Sequence, residues 1–149
     1  MKERLISLAW ATPWMLFLGF PIAYALELTD TAQRTAIIGL CALLAVTNSA
    51  TWLINPPPAR NSFTRQFFLS HAALAAATVI YLMYAASIGF PHAFMLVSYL
   101  LVAWVFQAPS RFLIAGVVPI AAIAGVAVYA QGESMWMIWY LALLGGWVG

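Results

Sequence analysis

Long apolar runs separated by short polar segments make up most of this chain. A helix needs about 20 apolar residues to cross the hydrocarbon core of a bilayer. Prolines, glycines and charged residues stand at the boundaries between the runs, where helices are expected to end. The pattern predicts an all-α, polytopic membrane protein consisting of one transmembrane domain. Its six predicted helices cover residues 5–26, 35–54, 67–88, 93–106, 112–130 and 135–149.

Two of these boundaries are marked clearly, and the first run has two interpretations. Asn55 and the prolines Pro56–Pro58 prevent the second helix from continuing. The turn Gly89–His92 is so short that the third and fourth helices must be antiparallel neighbours. The first run has a basic start, as a signal peptide does, but its apolar length of about 20 residues exceeds the 7–15 of a signal-peptide core. We therefore expect it to be retained, and five helices would remain if it were cleaved.

Lys and Arg residues fall mainly on one side of the predicted membrane. Arg34 lies on the other side, beside Glu27 and Asp30. Because short cytoplasmic loops carry an excess of basic residues, this distribution predicts that both termini are cytoplasmic. Tryptophans are enriched at membrane interfaces, and five of them lie toward the cytoplasmic ends of their spans: Trp10, Trp14, Trp52, Trp104 and Trp147. The lipid-interface candidates are therefore Lys2, Arg4, Arg60, Arg65, Arg111, Trp10 and Trp14.

The composition excludes several classes of protein. Hydrophobic residues make up 65% of the chain and charged residues only 7%, whereas a soluble domain carries about 25% charged residues. The mean hydropathy is +0.95, so the bilayer is the expected surrounding. A formal net charge of +2 is too small to indicate a nucleic-acid partner.

Residues that support catalysis or ion transport are scarce. Asp, Glu, Lys and Arg all lie at span ends or in loops, which disfavours a charge-coupled transporter. His71 and His92 would lie about 30 Å apart on a continuous helix, and Cys41 is the single cysteine. We expect each histidine to be interfacial or hydrogen-bonded. The sequence also lacks a nucleophile elbow and a Gly-rich phosphate loop. It therefore predicts no enzyme activity, no cofactor, and no catalytic, cofactor-binding or metal-binding residue.

Small and polar residues inside the spans are candidates for helix packing. Lipid penalises a polar helix face, so a polar stretch in the second span should face another helix. Pairs of small residues four positions apart allow two helices to approach closely. These criteria select Asn48 and Ser49 in the second span, Ala72 and Ala76 in the third, and Ala121 and Gly125 in the fifth.

Two spans are shorter than the bilayer. The fourth, residues 93–106, would reach only about 21–24 Å, so its tilt or depth should depend on bilayer thickness. The last run, residues 135–149, has about 15 residues where about 20 are needed. This shortfall predicts a fragment of a chain that continues into the cytoplasm. A small protein that ends in a shallow or re-entrant helix is the alternative.

Two stretches combine aromatic residues and prolines in a recognisable order. Pro13–Pro21 contains Trp-x-x-Phe-x-x-Phe-Pro, starting at Trp14. The second stretch begins at Ser98 and Tyr99 and ends in the Pro-x-Arg turn Pro109–Arg111. Together with the order of the spans, these stretches resemble the membrane-sensor region of the DesK-type sensor histidine kinases of bacterial two-component systems.

The resemblance implies a signal-input region that forms a homodimer in the bacterial inner membrane. Such a region passes its signal to a cytoplasmic kinase output domain, so the parent protein would be a histidine kinase. That output domain is not part of this sequence, and neither His71 nor His92 lies where a phospho-accepting histidine is expected. The stimulus would be bilayer thickness or the state of the envelope. Two alternatives stay open: a small oligomeric transporter or channel subunit, and a structural membrane assembly protein.

Overall fold

The computed structural model describes residues 1–56 and 63–132, apart from the side chain of Trp14. Every regular element in these residues is helical, so the predicted all-α fold is confirmed for them. Three short 3₁₀ turns cover Leu16–Leu18, Ala93–Leu96 and Ser110–Phe112. The α-helices are α1 (Lys2–Met15), α2 (Gly19–Leu26), α3 (Thr31–Ile54), α4 (Arg65–Ser87), α5 (Val97–Gln107) and α6 (Leu113–Ala130).

Four helical stretches of the described residues are long and apolar enough to cross a membrane. The predicted count of six spans is therefore not confirmed. The predicted fourth span corresponds to the shorter helical stretch Ala93–Gln107, and the predicted sixth span, residues 135–149, lies outside the described residues. The four stretches are Lys2–Leu26, Thr31–Ile54, Arg65–Ser87 and Ser110–Ala130.

The first span is irregular because of its prolines. Pro21 lacks the N–H group that would bond to the carbonyl of Phe17 in a regular α-helix. The helix accordingly changes to a 3₁₀ turn over Leu16–Leu18 before α2 begins. The span packs along α3, and the Ser7 hydroxyl donates a hydrogen bond of 2.7 Å to the Trp52 carbonyl.

Two capping residues set the starts of α3 and α4. Asp30 Oδ1 accepts hydrogen bonds from the backbone N–H groups of Ala32, at 2.8 Å, and Gln33, at 3.1 Å. Thr64 Oγ1 accepts one from the Phe67 N–H at 3.0 Å. Such side chains bond to N–H groups that have no partner within the first helical turn. The caps therefore start both helices before their apolar runs begin.

The short helix α5 lies inside the bundle. Nine of its eleven residues are buried, as expected for a helix that is apolar around its whole circumference. The neighbouring helices α3, α4 and α6 instead expose large apolar side chains, including Val46, Met83 and Val126. The short span is therefore largely separated from lipid, and a change in bilayer thickness acts on it through the surrounding helices.

Successive helical stretches run in opposite directions between the two ends of the bundle. Ring contacts of 6.4 Å between Trp10 and Phe106 and of 5.7 Å between Phe67 and Trp104 join helix termini at one end. A contact of 6.0 Å between Tyr24 and His92 joins termini at the opposite end. We call the first of these the basic end, because four basic residues lie there, at the starts of α1 and α4 and in the connection between α5 and α6. They are Lys2, Arg4, Arg65 and Arg111.

Candidate functional site

Buried polar side chains of the described residues concentrate near the basic end. Asn48 lies six residues from the end of α3 and His71 six residues from the start of α4, which is about 9 Å along each helix. Thr78 and Ser98 lie elsewhere; Thr78 donates to the Leu74 carbonyl within α4, and Ser98 donates to the Met95 carbonyl in the preceding 3₁₀ turn. The buried polar residues toward the basic end are Ser7, Asn48, Thr51, Ser70, His71 and Gln107.

Hydrogen bonds at the basic end join α3 to α4. Asn55 Nδ2 donates to the Thr51 carbonyl at 3.0 Å and to the Ser70 hydroxyl oxygen at 2.9 Å. The Ser70 hydroxyl in turn donates to the Phe67 carbonyl at 2.9 Å. Thr51 Oγ1 donates to the Ser70 carbonyl at 3.3 Å. These bonds fix the two helices to each other where the chain passes from α3 to α4.

His71 is a buried, hydrogen-bonded residue of this region. Its Nδ1 lies 2.9 Å from the Phe67 carbonyl. The ring stacks on Phe67 at 4.1 Å and meets Trp104 edge-on at 5.8 Å. Nε2 has no hydrogen-bond partner among the described residues. The contact with Trp104 thus joins His71 on α4 to α5.

Aromatic rings hold the basic end of α5 on two sides. On one side, Phe106 lies 5.8 Å from Trp52 and 6.4 Å from Trp10. On the other side, the Trp104 indole donates a 3.2 Å hydrogen bond to the Leu113 carbonyl. The rings around Trp104 are those of Phe63, Phe67 and His71. Any shift of α5 would therefore change contacts with α1, α3, α4 and the start of α6.

Gln107 is the last residue of α5 and lines a small cavity. The cavity has a volume of about 120 Å³. Gln107 is only 3% exposed, and neither Oε1 nor Nε2 has a partner among the described residues. An unpartnered buried amide is unfavourable by about 1–3 kcal/mol. A cavity with amide and hydroxyl groups in its wall suits water or the polar part of a lipid. We call it the basic-end recess; its other lining residues are Ile54, Asn55, Pro56, Thr64, Gln66 and Phe67.

The packing candidates from the sequence lie in different environments. Asn48 is buried, and its Nδ2 has no partner among the described residues; Ser49 is half-buried. The other candidates do not sit at tight helix contacts inside the described bundle: Ala72, Ala76 and Ala121 are exposed and Gly125 is half-buried. Spacing identified small residues, but it did not show which side of each helix faces the protein.

The lipid-interface candidates in the described residues are exposed. Lys2, Arg4, Arg65 and Arg111 all reach the surface, and Trp10 does so at the basic end. Arg60 and the side chain of Trp14 lie outside what the structure describes. Among residues 1–56 and 63–132, no three His, Cys, Asp or Glu side chains come together as metal ligands.

Two residues of this region were not predicted from the sequence. They are Gln107 and Gly116, which lies against the ring of Trp104. Gln107 stands just before Ala108 and Pro109, so it resembled the first residue of a loop. Gly116 has no small residue four positions away, because residue 120 is isoleucine. A polar residue at the end of an unusually short apolar run was the available signal for Gln107.

Comparison with protein-family models, with curated proteins and with solved structures gave no match. The likeness to DesK-type sensor regions therefore rests on the sequence motifs alone and stays a prediction.

Proposed function

We propose that this chain is a membrane-embedded sensory region, of the kind found in two-component sensor kinases, and that it responds to bilayer thickness. The observation that carries the proposal is a short helix, α5, enclosed by longer membrane-spanning helices. The helices that contact lipid move when the thickness of the bilayer changes. Because α5 is enclosed, it moves less than they do, and we call it the internal reference.

The lengths of the helices support this arrangement. α3 has 24 residues and α4 has 23, so they extend about 36 and 35 Å. The stretch Ala93–Gln107 has four residues in a 3₁₀ turn and eleven in α5, and reaches about 24 Å. The stretch is therefore about 11–12 Å shorter than α3 and α4, and residues at each of its ends line a cavity.

The cavity at the other end of α5 is larger. Its volume is about 240 Å³, and we call it the opposite-end recess. The residues that line it come from the first span, from α4 and from the turn that leads into α5. They are Phe17, Phe20, Pro21, Tyr24, Tyr81, Pro91, His92, Met95 and Leu96.

Bilayer thickness acts on the helices that contact lipid. A mismatch costs fractions of a kcal/mol per Å, and helices relieve it by tilting. A thickness change of about 5 Å thus supplies on the order of 1–2 kcal/mol, enough to shift a two-state equilibrium by a factor of about 5–30. Because α5 is buried, it should follow this tilting less than its neighbours do. The contacts of Trp104 and Phe106 would then transmit the difference to the basic end.

Distance measurements between spin labels test the proposal. In a Cys41→Ser background, Gln66→Cys and Ser110→Cys place labels at exposed positions on α4 and after α5. We expect their distance to change steadily as the acyl chains of phosphatidylcholine vesicles lengthen from 14 to 22 carbons. Labels at Thr35→Cys and Ser87→Cys, on the paired helices α3 and α4, serve as the control. If the label distance changed equally in both pairs, or in neither, α5 would not act as an internal reference.

The transporter alternative predicts a different arrangement. Transport sites lie near the middle of the bilayer and combine polar groups from several helices. In the described residues the buried polar groups lie mainly toward the basic end, whereas Ile37, Leu44 and Leu74 are buried in the apolar core. A solute flux through reconstituted protein that is lost in Asn48→Ala would nevertheless favour a transporter. A chain with neither flux nor a distance change would favour the structural role.

The kinase assignment has its own test. If the parent protein is a histidine kinase, the coding sequence after Gly149 should continue into a cytoplasmic helix that carries a phospho-accepting histidine. A stop codon, or an unrelated continuation, would remove the kinase assignment. The spin-label experiment would still report whether the membrane region senses thickness.

A further inference from the structure

An apolar groove runs between α4 and α6 on the outside of the described bundle. It is lined by residues of α4 from Val79 to Ala86 and by residues from Ala122 to Gln131 at the end of α6, and we call it the α4–α6 groove. Its volume is about 410 Å³. Met83 and Val126 in its walls are 68% and 69% exposed, so the groove is open along its length. Gln131 is the only polar residue among its described lining residues.

The groove lies beside the point where the chain leaves α6. Both α4 and α6 begin at the basic end, and the groove is formed by the later part of each helix, so it lies toward the opposite end. Gly132 has a φ of +65°, the left-handed conformation that ends many helices and turns the chain. The Gln131 side chain donates to the Phe90 carbonyl and accepts from the Phe94 N–H. These bonds hold the exit of α6 against the turn between α4 and α5.

Residues 135–149 match the groove in length and chemistry. They include no charged residue, and they begin with the five large side chains of Met135–Trp139. As a helix they extend about 22 Å, whereas the groove covers about 13–14 Å of α6. A cavity of about 150 Å³ accepts benzene, so the groove has room for about two to three side chains of that size. The alanines in its walls, Ala86, Ala122 and Ala130, leave this room open.

The short connection favours this segment over other apolar occupants. Only Glu133 and Ser134 separate residues 135–149 from Gly132. Short connections place consecutive helices antiparallel to each other, and a short link raises the effective concentration of a segment at its site to the mM range. A second copy of the chain must in addition lose translational and rotational freedom. A lipid acyl chain is equally apolar but has no link to the groove.

We propose that residues 135–149 form a helix that docks in the α4–α6 groove, antiparallel to α4 and α6, with side chains of Met135–Trp139 filling it. Gly145 and Gly146 then lie about level with Val118 of α6, which is 62% exposed. Small residues let two membrane helices approach closely, so the pair can accept the valine side chain. The inference is independent of the proposed thickness response.

Disulfide cross-linking in vesicles tests the proposal. In a Cys41→Ser background, Met83→Cys is combined with a cysteine at each position from Met135 to Ala142 in turn, and the yield after oxidation is measured by mass spectrometry. We expect the yield to peak every three to four positions, because one side of the docked helix faces Met83. Leu43→Cys on α3, which is 41% exposed and outside the groove, replaces Met83→Cys in the control series and should give low yields throughout.

A matched pair of variants tests whether the groove itself holds the segment. Ala122 lines the groove, whereas the neighbouring Ala121 does not, and both are exposed, so neither change disturbs the packing of the described bundle. Ala122→Trp fills the groove and should lower the peak yield about 5-fold or more. Ala121→Trp should leave it unchanged. Mixing ¹⁵N-labelled with unlabelled protein distinguishes disulfides within one chain from those between two chains.

Four outcomes would overturn the proposal. Equal yields in the Met83 and Leu43 series would indicate random collisions, and low yields at every position of the Met83 series would leave the groove to lipid. Disulfides of mixed isotope content would assign the occupant to a second copy of the chain. A peak that is the same in Ala122→Trp and Ala121→Trp would place the segment outside the groove.

Discussion

The indole of Trp104 on α5 lies directly against Gly116 on α6, where a Cβ atom would overlap the ring. The same indole donates its hydrogen bond to the Leu113 carbonyl. One tryptophan thus fixes both the separation of α5 and α6 and their relative position along the helix axes. Because α5 is enclosed, this contact is also a route by which a shift of α5 reaches α6.

Gly116→Ala should destabilise the fold. The added methyl group must displace the indole, and overpacking of this kind costs about 1–3 kcal/mol. The free energy of unfolding can be measured by titrating detergent-solubilised protein with sodium dodecyl sulfate and following far-ultraviolet circular dichroism. Gly39→Ala is the matched control, because a Cβ there meets open space, and we expect it to be neutral or stabilising by up to about 1 kcal/mol. Equal effects of both changes would contradict the close contact at Gly116.

Ser7→Ala should weaken the attachment of α1 to α3. It removes the buried hydrogen bond to the Trp52 carbonyl, and bonds between membrane helices contribute about 0.6–1.7 kcal/mol. Thr12→Ala removes a bond of the same type within α1, to the Leu8 carbonyl, and should change the stability little. The same detergent titration compares the two variants. A loss no greater for Ser7→Ala than for Thr12→Ala would show that the interhelical bond contributes nothing measurable.

The helices could be predicted from the sequence more readily than their arrangement. Apolar runs indicated α3, α4 and α6. Because of the caps Asp30 and Thr64, however, α3 begins four residues before its predicted start at residue 35, and α4 begins two residues before its predicted start at residue 67. Polar capping residues precede the apolar pattern, so a search for hydrophobic runs misses them.

The enclosed position of α5 could not be predicted in this way. Lipid and the interior of a membrane protein are similarly apolar, so residues 93–106 look the same to a hydropathy argument in either environment. The burial of Gln107 and the contact of Gly116 with Trp104 both depend on that position. Similarly, the opposite-end recess brings together residues of the first span, of α4 and of the turn at Pro91 and His92, which are far apart in the sequence.

Gln131→Ala should loosen the connection between α4 and α5. The Gln131 side chain donates to the Phe90 carbonyl at 2.5 Å and accepts from the Phe94 N–H at 3.4 Å. Losing these bonds leaves buried backbone groups without partners. We expect amide hydrogen exchange of residues 89–96 to become about 5- to 10-fold faster. In Ser87→Ala, which loses only a local bond to the Tyr84 carbonyl, exchange in this segment should be unchanged. Unchanged exchange in Gln131→Ala would show that the Gln131 side chain does not hold residues 89–96 in place.

The basic end should face the cytoplasm. In a Cys41→Ser background, single cysteines at Gln66 and Ser110 report on this end, and one at Ser87 reports on the opposite end; all three positions are exposed. A membrane-impermeant thiol reagent added outside intact cells should label only the cysteine at Ser87, because basic residues favour the cytoplasmic side. Labelling of Gln66→Cys and Ser110→Cys but not Ser87→Cys would invert the orientation and remove the inward output of the proposed sensor.

The last prediction concerns the small residues on the outside of α4. Ala72 and Ala76 are exposed, and they form a small-xxx-small pair of the kind that allows two membrane helices to approach closely. The predicted homodimer could therefore use this face, with each copy placing its α4 against the other. Ala72→Leu combined with Ala76→Leu should abolish self-association and leave the stability of the single chain within about 0.5 kcal/mol, as is usual for surface substitutions. Energy transfer between donor- and acceptor-labelled chains in vesicles measures the association as the protein is diluted with lipid. Met83→Leu, an exposed change on the same helix, is the control and should associate as the unmodified chain does. Association that persists in the double variant would exclude this face, and energy transfer no greater than random proximity in the unmodified chain would exclude the homodimer itself.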